Sequence, residues 1–338
     1  MHVPVETVKT AVSGGTGTLI LDRPSALNAL DLRMVQQMRA ALDMWREDDA
    51  VRAVVVRSTS PKAFCSGGDI RAVREAGLRG DQAAVYEYFS AEYGLNAAVA
   101  AYPKPYVALI DGYALGGGLG ISVHGSARVV TERAGLAMPE TAIGFFPDIG
   151  AGYFLPRLRG RIGWYLGLTG RRISGAAAVE CGLATHYVHS SDLAALEREL
   201  TAAGGEGIAE VLAHRAAEPP ASELAGDREV IDRCFAADSL TELFERLTAE
   251  GGDWAEETLT ELRHASPSSL HVTFELLRRG ADPDASLADC LDLELRTACR
   301  MAGTQDFAEG VRAALVDKDR KPSWDLSELD TVRGWFEE

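Results

Sequence analysis

Two carboxylates lie in an otherwise apolar or small-residue stretch, "MPETAIGFFPDIG" at residues 138–150. Glu140 follows Pro139 and Asp148 follows Pro147, so both acids stand beside residues that restrict the backbone. Acidic side chains are rarely fully buried unless they are paired or take part in chemistry. The stretch therefore indicates a site for general acid–base or nucleophilic work by a carboxylate.

A purely structural interpretation of the same acids is open at this point. Glu140 could occupy the first turn of a helix after Pro139, where the helix dipole favours a negative charge. Asp148 could cap a following helix at "DIGAGYFLPRL". Spacing alone does not choose between capping and chemistry.

Two glycine-rich turns each follow an apolar strand-like segment. "FCSGGDI" at residues 64–70 comes after "VRAVVVRS", and "LGGGLG" at residues 115–120 comes after "PYVALIDG". Such turns are tight packing features, or they bring backbone N–H groups close to a ligand oxygen. A pair of them suits an oxyanion hole made from two N–H groups. The second turn matches neither a P-loop nor GxGxxG, so nucleotide binding is not indicated.

The sequence lacks the patterns of a serine nucleophile and of a metal site. Ser122 in "GISVHG" nearly fits GxSxG, but His124 replaces the last glycine, which excludes the nucleophile elbow. The seven histidines contain no HExxH and no cluster with ligand spacing, so no metal site is predicted. We expect His124 to be packed or hydrogen-bonded rather than catalytic.

Composition limits the partners. The chain has 338 residues and a net charge of −16, from 50 acidic and 34 basic side chains, with no basic block. Broad binding to nucleic acid is therefore not expected. The five cysteines form no CxxC pair, and neither a secretory segment nor a membrane-length apolar run is found, which predicts a cytoplasmic protein with reduced thiols.

The order of predicted elements indicates an α/β core followed by helices. "ETVKTAVSGGTGTLILDRP" predicts a hairpin, and the apolar spacing after Asp31 predicts a helix with Asp31 as its N-cap. Short strands then alternate with helices through about residue 190. Leu, Ala and Glu dominate afterwards, which predicts helices. We therefore expect a core over residues 1–190 and a helical C-terminal region over 191–338.

The motifs together resemble a known family. "LDRPSALNAL", "KAFCSGGDI", "KPYVALIDGYALGGGLG" and "MPETAIGFFPDIGAGYFLPRL" occur in the order and spacing of the crotonase, or enoyl-CoA hydratase/isomerase, superfamily. "AEYGLN", "SVHG", "SPSSL" and "DFAEGVRAALVDKDRKPSW" are similar to its 3-hydroxyisobutyryl-CoA hydrolase branch. The resemblance covers nearly the whole chain. It implies a crotonase-like spiral of ββα units.

The resemblance also implies roles for individual residues. The backbone N–H groups of Gly68 and Gly117 would hold the oxygen of an acyl-CoA thioester. Glu140 and Asp148 would be the catalytic acids. Enoyl-CoA hydratases carry a further Glu at the position of Gly120, so its absence counts against hydration. Whether Glu140 would act as a base or attack as a nucleophile stays open.

The remaining residues carried over from the resemblance would bind substrate. Glu92 would accept a hydrogen bond from a polar acyl group, unless it is a solvent-facing helix residue. The others would line the pantetheine and nucleotide: Arg23, Ala26, Leu27, Asp69 and Ile70.

The expected function is hydrolysis of a short 3-hydroxyacyl-CoA, preferentially 3-hydroxyisobutyryl-CoA, as in valine breakdown. Alternatives on the same fold are a hydratase, an isomerase, or a dehalogenase with Asp148 as nucleophile. A non-catalytic acyl-CoA-binding protein is the alternative of another class. We expect an acyl-CoA substrate, no cofactor besides the CoA that belongs to it, no membrane partner, and a capacity to form a homo-oligomer.

Overall fold

The computed structural model describes residues 6–336, and within that range two sheets are formed. The strands are β1 (Val8–Ser13), β2 (Thr16–Leu21), β3 (Ala53–Ser58), β4 (Ala63–Cys65), β5 (Tyr106–Ile110), β6 (Tyr113–Leu115), β7 (Ala127–Val130), β8 (Gly135–Ala137), β9 (Ile173–Ser174) and β10 (His186–Tyr187). The prediction that the chain has no secretory segment rests partly on residues 1–5, which lie outside the described residues.

Helices follow most of the pairs of consecutive strands and predominate in the described chain after β10. They are α1 (Leu32–Glu47), α2 (Ile70–Leu78), α3 (Gln82–Ala100), α4 (Gly117–Gly120), α5 (Ala151–Phe154), α6 (Ile162–Thr169), α7 (Gly175–Cys181), α8 (Leu193–Ala203), α9 (Ile208–Arg215), α10 (Arg228–Cys234), α11 (Leu240–Glu250), α12 (Gly252–His264), α13 (Pro267–Gly280), α14 (Leu287–Met301), α15 (Gln305–Val311) and α16 (Glu328–Arg333).

The larger sheet has the strand order β1-β2-β3-β5-β7-β10, and the smaller has β4-β6-β8-β9. The predicted hairpin is confirmed, because β1 and β2 pair antiparallel across Gly14 and Gly15, both at positive φ. The strands β2, β3, β5, β7 and β10 pair parallel in sequence. The order β1-β2-α1, β3-β4-α2 and β5-β6-α4 repeats a ββα unit. The α/β prediction is therefore confirmed.

Two compact units, interleaved along the sequence, make up the chain. The first comprises Met1–Gly68, Ala91–Leu136 and Ile173–Glu223, and the second comprises Asp69–Ser90, Ala137–Arg172 and Leu224–Glu338. Within the described residues no strand follows β10, and the predicted boundary near residue 190 stays a prediction. It does not coincide with the compact units, because long-range packing groups early and late segments together.

The core of the first unit is built on the larger sheet. Its central strands are buried at consecutive positions, and helices α8 and α9 pack against one face of the sheet through Leu196, Leu200, Ile208 and Leu212. Helix α1 begins at the predicted N-cap, where the Asp31 carboxylate accepts a hydrogen bond from the Met34 N–H at 2.8 Å. The sheet thereby provides a rigid base for the loops that follow its strands.

The second unit contains the acid-bearing stretch and the late helices. Helix α13 contacts α5 and α6, and α14 contacts α5. The packing is close enough to require glycine: a Cβ at Gly280 would lie 1.8 Å from the Gly152 carbonyl oxygen. Residues 151–154 are therefore held directly against the late helices.

Candidate active site

The loop before α1 is organised by a residue that the sequence analysis missed. Asn28 is fully buried, and its carboxamide donates to the Ser58 hydroxyl at 2.6 Å and to the Phe64 carbonyl at 3.0 Å. Leu27 and Asn28 both have positive φ, which Asn tolerates better than most residues. The position of Asn28 in a tight loop was the sequence feature that could have identified it. Asn28 thus fixes the loop that carries three predicted substrate-binding residues.

Those three residues lie differently within the loop. The Arg23 guanidinium donates to the Ala29 carbonyl at 2.8 Å and lies 3.8 Å from the Asp31 carboxylate. Arg23 therefore braces its own loop, and its contact with a phosphate remains a prediction. Ala26 is half-buried, whereas Leu27 is 36% exposed. An exposed Leu at the tip of a fixed loop suits contact with an apolar part of a ligand.

The first unit brings Gly68, Gly117 and Glu92 together. A Cβ built on Gly117 would lie 3.2 Å from the Gly68 nitrogen and 2.4 Å from Glu92 Oε1. Gly117 begins α4, and the bridge between Leu30 and Gly68 fixes the other turn. A side chain at position 117 would displace the Glu92 carboxylate, which favours glycine there. Two backbone nitrogens and one buried carboxylate therefore share one place, as an oxyanion site with an adjacent hydrogen-bond acceptor requires.

Glu92 is 2% exposed on α3, so it is not a solvent-facing helix residue. The fully buried Asn96 lies one turn further along the same helix. Within residues 6–336, neither atom of the Asn96 carboxamide has a hydrogen-bond partner. Sequence analysis missed Asn96, although its spacing of four residues from Glu92 was the available signal.

The cysteine beside this cluster is not a nucleophile. Burial raises the pKa of the Cys65 thiol to about 12, and the nearby Glu92 carboxylate contributes in the same direction. The thiol instead donates to the Asn28 carbonyl at 3.1 Å. Ser122 is also buried and donates to carbonyls of α4, which agrees with the exclusion of a serine elbow.

Asp69 and Ile70, which begin the second unit, stand at the start of α2. Both are half-buried, and Asp69 occupies the N-cap position without a side-chain capping bond. Contact of Asp69 and Ile70 with CoA remains a prediction.

Glu140 lies at the start of a short 3₁₀ helix, Glu140–Ile143, directly after Pro139. It is 8% exposed, so its position in a first turn does not place it in solvent. Gly144 ends the helix with a φ of 71°, and a Cβ there would lie 2.1 Å from the Asp306 carbonyl oxygen. The segment after Glu140 is therefore clamped against α15.

Asp148 is 6% exposed and is not the cap of the next helix. The N-cap of α5 is Gly150, and no side chain forms a capping bond there. The capping interpretation of Asp148 is therefore wrong, because two left-handed residues, Ile149 and Gly150, separate it from the helix start. The first N–H groups of α5 find another acceptor, Glu294, which sequence analysis missed.

Aromatic rings occupy the sequence between the two acids. Phe145 stacks on Phe146 with ring centroids 4.6 Å apart, and on Phe89 at 5.5 Å. Phe307 of α15 closes the cluster at 5.4 Å from Phe145. Glu140 and Asp148 thus flank a packed apolar cluster, which restricts access of bulk water to this segment.

Within residues 6–336, no group of three or more His, Cys, Asp or Glu side chains is arranged to hold a metal ion. No helix in the same range is long and apolar enough to cross a membrane. All five cysteines are free thiols, and Cys299 alone among them is half-buried rather than buried.

Comparison with curated proteins identifies close relatives. The chain is 44% identical over 328 residues to the mitochondrial 3-hydroxyisobutyryl-CoA hydrolase of Xenopus laevis, covering 95% of this chain and 84% of that protein. It is 42% identical to the Homo sapiens protein of the same name over 335 residues, covering 97% and 86% of the two chains.

Solved structures with similar folds carry other names. The carnitinyl-CoA dehydratase from Mycobacterium thermoresistibile matches with a TM-score of 0.92 and 39% identity, covering 99% of this chain and 97% of that one. An enoyl-CoA hydratase from Rhodobacter sphaeroides matches with a TM-score of 0.89 and 39% identity, covering 96% and 94%. The crotonase-like fold is thereby confirmed.

The sequence matches the model of the family described as enoyl-CoA hydratase/isomerase over residues 16–335. That match spans the motifs around both glycine turns and both acids. The chain therefore belongs to the enoyl-CoA hydratase/isomerase family.

Proposed function

We propose that this protein is an acyl-CoA thioester hydrolase that converts 3-hydroxyisobutyryl-CoA and water into 3-hydroxyisobutyrate and CoA. The identity to curated hydrolases of that name, over nearly the whole chain, supports the substrate. The observation that carries the reaction class is the glycine at position 120, which leaves Glu140 without the second acid of the hydratases.

The glycines of the first unit supply the electrophilic part of the chemistry. When water adds to a thioester, the carbonyl oxygen becomes an oxyanion. The N–H groups of Gly68 and Gly117 are two fixed donors for that oxygen, and such donors stabilise the transition state more than the ground state. Glu92 beside them is an acceptor for the 3-hydroxyl group of the acyl chain, which would favour 3-hydroxyacyl over plain acyl thioesters.

The acids of the second unit supply proton transfer. In one route Glu140 removes a proton from water as the oxygen bonds to the carbonyl carbon, and the proton then passes to the departing CoA sulfur. In the other route Glu140 bonds to the carbonyl carbon, expels CoA and is released by water. In both, Asp148 orients the water or the substrate hydroxyl. Carrying out the reaction in H₂¹⁸O under single turnover separates them, because only the covalent route places ¹⁸O in Glu140.

A second candidate is hydration or dehydration of an acyl-CoA. The names of the two similar structures, a dehydratase and a hydratase, favour it. Either reaction would use the same glycine donors to hold an enolate, so the donors do not discriminate. The position of the acids does, because Gly120 stands where the hydratases carry one of the two proton-transfer groups that add water across a double bond.

The deciding experiment compares two substrates on one preparation. With 3-hydroxyisobutyryl-CoA we expect release of free thiol, and with crotonyl-CoA we expect negligible loss of the enoyl chromophore. Gly120→Glu should add at most weak hydration. Efficient hydration of crotonyl-CoA by the unmodified protein, without thiol release from the first substrate, would overturn the hydrolase proposal.

We also propose a compartment with reduced thiols, as the five free cysteines favour. The cytoplasm remains the predicted location, although the relatives named above are called mitochondrial. A homo-oligomer remains a prediction that sedimentation would test.

A further inference from the structure

A buried carboxylate outside the predicted site contacts the chain directly after Asp148. Glu294 on α14 has no solvent exposure. Its Oε2 accepts a hydrogen bond from the Gly150 N–H at 2.6 Å, and its Oε1 accepts one from the Gly152 N–H at 2.9 Å. The contact joins residues separated by 144 positions. Glu294 therefore binds the backbone on which Asp148 is mounted.

The segment that it contacts has an irregular backbone. Ile149 adopts a φ of 58°, which is rare for a β-branched residue, and Gly150 follows with 86°. Helix α5 spans only Ala151–Phe154, and its cap offers no side chain. The first N–H groups of a helix need acceptors when they are buried. Both oxygens of Glu294 are used for this purpose, and a Cβ at Gly152 would crowd Oε1 at 3.2 Å.

The position of Glu294 carries an electrostatic cost. Burial raises its pKa to about 8, the two backbone N–H bonds oppose that shift, and the charge of Asp148 adds to it. The carboxyl groups of Glu294 and Asp148 therefore lie near enough to interact. A buried acid that carries such a cost points to a role in positioning the backbone that it binds.

We propose that Glu294 is a positioning residue for Asp148. Its carboxyl group fixes residues 149–152 in their left-handed turn, and the Ala151 N–H, bonded to the Asp148 carbonyl at 2.9 Å, transmits that constraint to Asp148. The role in catalysis rests on the proposed function of Asp148. The hydrogen bonds to Gly150 and Gly152 can be tested without it.

The main test is Glu294→Gln, which keeps the size of the side chain but sets an NH₂ group against one of the two backbone donors. We expect kcat for thioester hydrolysis to fall by about tenfold to a hundredfold, the scale of a small misplacement, with KM within about twofold. Amide hydrogen exchange at Gly150 and Gly152 should become faster. Glu294→Asp, which keeps the charge but cannot reach both donors, should lower kcat in the same direction.

The matched control is Asp289→Ala on the same helix. Asp289 forms a capping box with Ser286 and is exposed, so its loss weakens α14 without removing the hydrogen bonds to Gly150 and Gly152. We expect a lower melting temperature with unchanged kcat. An equal loss of kcat in this control at a similar melting temperature would show that Glu294 matters only for stability, and would overturn the proposal.

Amide exchange in the unmodified protein covers the case in which the Glu294 variants fail to fold. Protected amides at Gly150 and Gly152 are expected, and rapid exchange at both would overturn the proposal. Unchanged kcat and unchanged exchange in Glu294→Gln would do the same. Absence of thiol release by the unmodified protein would instead contradict the proposed function, and the exchange data would still decide whether Glu294 holds the turn.

Discussion

The glycine region of the first unit and the acid region of the second are built by opposite devices. Gly68 and Gly117 place backbone N–H groups by leaving out side chains, and the neighbouring strands fix them locally. Glu140 and Asp148 are side chains on irregular backbone, and late helices brace that backbone through Asp306 and Glu294. Donors made from backbone need little support beyond the sheet, whereas carboxylates on a strained segment need buried partners far along the chain.

A buried acid braces the backbone of each candidate catalytic acid. Ser266, the N-cap of α13, donates to the Asp306 carboxylate at 2.5 Å, while its own N–H donates to the Thr141 carbonyl at 3.1 Å. Burial raises the pKa of Asp306, as it does that of Glu294. Each candidate catalytic acid thus has a buried acid behind its backbone. The helical C-terminal part of the chain thereby supports the acid region.

Loss of the base should give the largest effect. In Glu140→Gln the amide cannot accept a proton, so turnover should fall by about a hundredfold to ten-thousandfold, while acyl-CoA binding is largely kept. Thiol release and binding measured on the same folded preparation check this. The control is Glu245→Gln, an exposed acid on α11, which should behave as the unmodified protein does. Near-normal turnover in Glu140→Gln would contradict a catalytic role for Glu140.

Filling the glycine site tests the other region. In Gly117→Ala the new methyl would lie 2.4 Å from Glu92 Oε1 and 3.2 Å from the Gly68 nitrogen. We expect turnover to fall by about a hundredfold to a thousandfold, because relief of these contacts would misplace one oxyanion donor. The control is Gly226→Ala, whose Cβ meets nothing within 4 Å. If Glu92→Ala restored turnover to Gly117→Ala, a clash with the carboxylate and not a loss of donors would be the cause.

Asp148→Asn separates chemistry from structure in the acid region. Because Gly150 and not Asp148 caps α5, loss of the charge should leave the melting temperature nearly unchanged. Turnover should fall by roughly tenfold to a thousandfold, within the range of positioned acid–base groups. Activity equal to that of the unmodified protein would contradict a catalytic role. Melting temperature and thiol release are measured on one sample.

The smallest effect concerns stability and pH. The pKa of Glu294 is raised to about 8 in the folded protein, so the folded state keeps a proton that the unfolded chain releases from about pH 4.5 upward. The free energy of unfolding, relative to Glu294→Gln, should therefore fall as pH rises through that window, by at most about 1.4 kcal/mol per pH unit, and level off above it. Urea unfolding at pH 5, 6.5 and 8 measures it.

Asp148→Asn sharpens this pH prediction. Since the charge of Asp148 is one cause of the raised pKa, its removal should make the decline in stability level off at a lower pH. A decline at the same pH in both proteins would mean that burial alone sets the pKa of Glu294.

Local patterns in the sequence predicted a large part of the fold. The Gly14–Gly15 turn, the Asp31 cap and the alternation of strands and helices depend on residues within a few positions of one another. The glycine turns and the two acids were also visible as motifs, and the resemblance supplied their roles. The turn around Asp148 could not be predicted from the sequence, because an Asp just before a helix is normally interpreted as its cap.

The sequence by itself determined which groups are chemically able to act: two backbone turns without side chains and two acids in apolar surroundings. Only the tertiary structure decided what supports them. Asp289, Asp292 and Glu294 look alike as helix acids in "LADCLDLELRTACRM", yet only Glu294 is buried and bonded to the chain 144 positions earlier. Burial of one acid among three follows from how α14 packs on α5, and no local pattern encodes such a long-range contact.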